Sequence, residues 1–157
     1  MEELLSDYIA PEFVSIDNES VTYQDAIVFA GKALLDAGYI TQDYIDAMIE
    51  IAEHSKYIVI CPKVAMPHAK SESGVLRDGI SISKLRTPVK FFHPEHDPVS
   101  LVIVLAGKNH NSHLELLGEL SVFLDDEDNI REILSVTTKE ELLELISRNG
   151  GTENGVS

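Results

Sequence analysis

Basic residues are scarce in this chain. Twelve lysines and arginines face 27 aspartates and glutamates, a formal charge of −15. So acidic a surface repels phosphate backbones, which argues against nucleic acid and anionic membranes as partners. It would steer a basic-faced protein instead; taken alone, it does no more than keep the molecule soluble. Cysteine is almost missing. Cys61 stands alone, so no internal disulfide forms and a reducing compartment is expected. No apolar run approaches the ~20 residues of a membrane-crossing helix. The opening MEELLSDYIA lacks the basic start of a secretion signal. These absences predict a cytoplasmic protein with no direct membrane insertion. Internal repeats and low-complexity blocks are absent as well.

What is present fits one ordinary folded domain: 157 residues, 44% of them hydrophobic and 25% charged. Phe13 to Ile16 reads as a short strand. Thr22, with Asp25 three residues on, opens a helix that Gly38 closes. Thr41 opens a second, with Tyr44, Ile45, Met48, Ile51 and Ala52 on its buried stripe. YIVI (57–60) reads as a buried strand, VAM (64–66) as a short extended piece. GISISKL (79–85) alternates like a half-buried strand, and VKFF (89–92) is a further candidate. SLVIVLA (100–106) is apolar throughout, as a central strand covered on both faces must be. Helices follow at about 113–124, 127–135 and 139–148, the last with a Thr138/Glu141 capping box. Helices interspersed with strands predict an α/β fold, a mixed sheet with helices on both faces. Residues 1–148 form the domain and 149–157 a flexible tail.

Two apolar runs end in histidine. AMPHAK (65–70) puts His68 directly after Pro67, and LAGKNHNSHLELL (105–117) carries His110 and His113. A neutral imidazole is nucleophilic near neutral pH and can attack a phosphoryl group. SHLE (112–115) has the spacing of a capping box, which predicts Ser112 as N-cap and His113 as the first helical residue. There the helix dipole and unpaired N–H groups make an anion site, and they favour a neutral, donating imidazole. His68 facing that terminus would be a nucleophile facing an anion cradle, with Lys70 and the Ser112 hydroxyl as further donors. The i,i+3 spacing of His110 and His113 also suits a metal, though with one cysteine and no dense His/Asp cluster the ligand set is thin. His54 suits a helix C-terminus, and His93 and His96 flank a turn in HPEHDP.

YIVICPKVAMPHAKSESGV (57–75) and DPVSLVIVLAGKNHNSHLELLGELSVFLDDED (97–128) together resemble the enzyme IIA family of the mannitol/fructose class, and the ascorbate-type subgroup most. These are parts of the bacterial phosphoenolpyruvate-dependent sugar phosphotransferase system. The resemblance runs from about residue 20 to 148 and implies that fold and a phosphohistidine carrier. Such a carrier accepts its phosphoryl group from the histidine-containing phosphocarrier protein and hands it to a cognate enzyme IIB. By position His68 is the phosphorylated residue and His113 the second histidine, with no metal or diffusible cofactor. Two positions depart from the pattern. MIEIAEH (48–54) holds no base where mannitol-type members carry arginine, and Lys70 stands where the ascorbate type usually has arginine. The implied sugar is ascorbate, a related sugar acid or a pentitol. The same module could instead be read by a regulator, as nitrogen-type relatives are.

Overall fold

β5 (Val99–Ala106) runs through the middle of the protein, and its side chains divide between two cores. Leu101, Ile103 and Leu105 face one, Val102, Val104 and Ala106 the other. That two-residue alternation, apolar on both sides, is why the run reads as continuously hydrophobic. The computed structural model describes residues 5–55 and 58–150. Within them β1 (Val14–Asn18), β2 (Val59–Cys61), β3 (Val64–Ala65), β4 (Gly79–Val89) and β5 form one sheet, in the order β1-β4-β5-β3-β2. β1 runs parallel to β4 and β3 to β5; β4 and β5 pair antiparallel, as do β2 and β3. The mixed sheet is the expected one.

Helices cover both faces. On one lie α1 (Tyr23–Asp36) and α2 (Gln42–His54); on the other lie α3 (His110–Asp125), α4 (Glu127–Ser135) and α5 (Lys139–Gly150). The Thr22 hydroxyl accepts the Asp25 N–H at 3.1 Å, and Gly38 ends α1's turn at φ +81°. Thr138 and Glu141 exchange bonds as a reciprocal cap. Bonds from the Thr137 N–H and hydroxyl, then from the Thr138 N–H, hold the Glu141 carboxyl below its usual range. No helix among the described residues is long and apolar enough to cross a membrane.

Several expectations need correction. β4 is one strand to Val89 rather than two pieces; its register with β5 shifts between Lys84 and Val89, and Pro88 lies within that shift. Residues 90–92 leave the sheet, where the Asp97 carboxylate accepts the Phe91 and Phe92 N–H groups at 3.0 and 2.7 Å. Ser81 and Ser83 are buried, not half-exposed. Burial is tolerable because Ser81 donates to the Ala30 carbonyl at 2.8 Å, and Ser83 bonds Ser15 and Asn18. β2 begins at Val59, and Tyr57 lies outside the described residues. α5 reaches Gly150, past the expected boundary at 148; the rest of the expected tail, 151–157, lies outside the described residues. The parallel neighbours β3 and β5 open side by side at their carboxyl ends, where α/β sheets form crevices.

Candidate active site

His68 owes its place to the residue before it. Pro67 has no N–H to give and ends β3's pairing early, though its carbonyl still accepts the Leu105 N–H at 3.2 Å. The His68 ring turns back so that Nδ1 lies 2.8 Å from the Met66 carbonyl. A carbonyl only accepts, so Nδ1 carries a hydrogen, and in the neutral ring Nε2 then keeps its lone pair. This is the tautomer of an Nε2 nucleophile.

His113 stands opposite, its ring centroid 5.4 Å from that of His68 and tilted by 47°. Gly107 makes this approach possible. A Cβ there would lie 2.5 Å from the His113 Cα, closer than any side chain tolerates. The start of α3 differs from the expected one. The N-cap is Asn109, whose side chain accepts the Ser112 N–H at 2.9 Å, and whose carbonyl takes the His113 N–H at 2.9 Å. Ser112 is therefore not the cap, and His113 is the fourth helical residue rather than the first. Its backbone N–H is spent inside the helix, so only its ring can serve a ligand.

An open cleft of about 1050 Å³ lies over both rings. Lys70, Lys108, Asn109 and His110 line it, together with Ser71, Glu72 and an apolar wall of Ile51, Ile58, Val75 and Leu76. Lys70 and Lys108 bring two positive charges to the cleft against the one carboxylate of Glu72. Ile51, expected in the buried stripe of α2, instead reaches this surface. Ser112 does not line the cleft, whereas Lys70 does. Burial, then the neighbouring His68 and His110, hold the His113 imidazole below its ordinary value, so it is neutral near pH 7. Among the described residues no three His, Cys, Asp or Glu side chains converge as a metal site would need. Cys61 ends β2, half-buried, with its thiol pushed up by burial. His54 lies in the last turn of α2, and His93 stacks on His96 with centroids 4.5 Å apart.

The sequence pattern did not single out Gly107, Lys108, Asn109 or the buried Tyr44, whose hydroxyl bonds the residue after His68. Gly107 alone carried a local signal, a glycine at the break between an apolar run and a histidine-bearing loop.

The family model of the phosphoenolpyruvate-dependent sugar phosphotransferase system, EIIA 2, matches residues 7–149. The chain belongs to this family. Enzyme IIA components are phosphotransferases that carry phosphohistidine. The mannitol-specific cryptic phosphotransferase enzyme IIA component of Escherichia coli K12 is 33% identical over 92% of this chain and 98% of its own. The solution structure of the cryptic mannitol enzyme IIA from Escherichia coli superposes with a TM-score of 0.87 at 33% identity, covering 93% of this enzyme IIA and 99% of that chain. The ascorbate-specific EIIA component of Escherichia coli K12 is 31% identical over 86% of this chain and 89% of its own. A complex of the Escherichia coli mannitol enzyme IIA with phosphorylated enzyme IIB matches at a TM-score of 0.77 and 28% identity, covering 88% of this chain and 96% of that one.

Proposed function

We propose that this enzyme IIA is a cytoplasmic carrier that takes a phosphoryl group onto Nε2 of His68 and passes it to a cognate enzyme IIB. The donor is the histidine-containing phosphocarrier protein, and no metal or diffusible cofactor takes part. One observation carries the reading: the Met66 carbonyl holds Nδ1 at 2.8 Å, which leaves the Nε2 pair free beside the His113 ring. In the uptake step that pair attacks phosphorus in line, and the P–N bond to the donor histidine breaks. The donor imidazole keeps the bonding electrons. Discharge repeats the step with Nε2 as leaving group and a nucleophile of enzyme IIB attacking. His113 donates a ring hydrogen to a phosphoryl oxygen, and Lys70 supplies charge at the rim as a point cation rather than a bidentate fork. Catalysis is largely placement and charge stabilisation, as in phosphoryl transfer generally.

The carrier serves carbohydrate uptake of the ascorbate type, or a related sugar acid or pentitol; the AMPHA form at residues 65–69 supports this. The test is a relay. Radiolabelled phosphoenolpyruvate, enzyme I and the phosphocarrier protein are supplied, followed by an ascorbate-type or a mannitol-type enzyme IIB. Label should enter the wild type, be missing in His68→Ala, and drain fastest to the ascorbate-type acceptor. Faster draining to the mannitol-type protein overturns the sugar assignment. Label that drains to neither overturns the transport role in favour of a regulatory one.

A further inference from the structure

The parallel ladder between β3 and β5 is interrupted beside His68, and a side chain fills the gap. The register pairs Val64 with Leu101 and Ala65 with Val102. Leu101 N–H donates to the Lys63 carbonyl at 3.0 Å, and Leu105 N–H to the Pro67 carbonyl at 3.2 Å. In a parallel ladder the next bond in this series runs from the Ala69 N–H to the Leu105 carbonyl. It is not made directly. The Tyr44 hydroxyl, from the fully buried face of α2, stands in between. It accepts the Ala69 N–H at 3.0 Å and lies 2.6 Å from the Leu105 carbonyl, to which it donates. A hydroxyl both accepts and donates, so one oxygen satisfies both backbone groups while holding the strands apart. Burial pushes the phenol up to about 12, so it stays protonated at any physiological pH. One turn earlier on the same helix, Thr41 donates N–H and hydroxyl to the Gly74 carbonyl at 2.9 and 3.2 Å. The start of α2 thus holds the loop carrying His68 at both ends.

We propose that Tyr44 is a positioning residue for phosphoryl transfer: its hydroxyl replaces a ladder bond and so sets where His68 leaves the sheet. Without it, Ala69 can close directly onto Leu105 and draw His68 with it, away from its place opposite His113. The catalytic half of the proposal rests on the carrier reading above; the geometric half does not.

The experiment compares Tyr44→Phe with Ser81→Ala, which removes an equally buried hydroxyl that bonds the Ala30 carbonyl and does not line the cleft. Single-turnover uptake from phosphorylated phosphocarrier protein is measured over a range of donor concentration. Histidine ring nitrogens are followed by 15N NMR in the same proteins. Tyr44→Phe should lower the limiting rate roughly ten- to hundredfold, the cost of a displaced reacting group. Its half-saturating donor concentration should stay within about twofold, since the hydroxyl touches no partner. The His68 ring should lose its clean Nδ1–H pattern. Ser81→Ala should keep the wild-type rate and the wild-type His68 pattern. A folded Tyr44→Phe with both preserved, or an equal rate loss in Ser81→Ala, overturns the proposal. Should Tyr44→Phe fail to fold, amide exchange in the wild type decides. The Ala69 N–H should be as protected as the amides of β5, and exchange at the rate of an open loop contradicts the wedge. If the wild type takes up no phosphoryl group, the carrier reading fails, while the ring spectra still decide what Tyr44 positions.

Discussion

The fold alters the protonation of His113, which faces the His68 ring. Its proton affinity is lowered first by burial and then by His68 and His110. In the interval between the depressed folded value and the ordinary 6.5, the unfolded chain binds more protons there than the folded one. Stability contributed by His113 is therefore complete above 6.5, falls with pH beneath it, and levels off below the folded value. Urea unfolding at a series of pH values should show this slope, and His113→Asn should flatten it. A phosphoryl group on His68 reverses the electrostatic part, because its negative charge favours an imidazolium nearby. NMR titration should find His113 protonating at higher pH in the phosphorylated protein than in the free one. In uptake, His113→Ala should still carry label on His68, at a rate lower by on the order of a hundredfold, the cost of one oxyanion donor at ~3 kcal/mol. An unchanged rate would reduce His113 to a helix residue. His68 and His113 were both legible as residues of interest because each follows an apolar run. Tyr44 was not: in the sequence it is one member of a helical stripe, and its role exists only where α2, β3 and β5 meet.

At the scale of the element, the start of α3 shows how a correct local pattern can misplace a boundary. Ser112 and Glu115 have capping-box spacing, yet Asn109 wins. The turn after Gly107 already fixes the loop, with the Lys108 N–H on the Asp78 carboxylate at 2.6 Å, so the Asn109 side chain reaches the first free N–H groups. Asn109→Ala should cost about 1 kcal/mol in urea unfolding, an ordinary cap loss, and Ser112→Ala within about 0.5 kcal/mol. The opposite order would restore Ser112 as the cap. β4 was split for a similar reason. Pro88 argues locally against a strand, but the register shift beside it absorbs the missing donor. By contrast α1 and β5 were readable almost to the residue, α1 because its periodicity lies between a cap and a glycine stop, β5 because an unbroken apolar run ends at Gly107.

Across the whole molecule, the layered α/β class follows from the alternation of elements, whereas the order β1-β4-β5-β3-β2 depends on pairings that no local pattern encodes. The chain carries −15 overall, while its cleft is lined by Lys70, Lys108 and Glu72. A basic-faced donor would be steered by the outer field, so the second-order rate of uptake should fall as salt is raised while the limiting rate holds. Stopped-flow transfer at two ionic strengths checks this, and a salt-independent second-order rate would contradict it. In the proposed carrier His68 receives the phosphoryl group on Nε2, because the Met66 carbonyl occupies Nδ1. The most direct test is 15N and 31P NMR of the ring-labelled protein after phosphorylation by phosphoenolpyruvate, enzyme I and the phosphocarrier protein. A single phosphorus should couple to Nε2 of His68, with Nδ1 still protonated. Coupling to Nδ1, or to either nitrogen of His113, would contradict it.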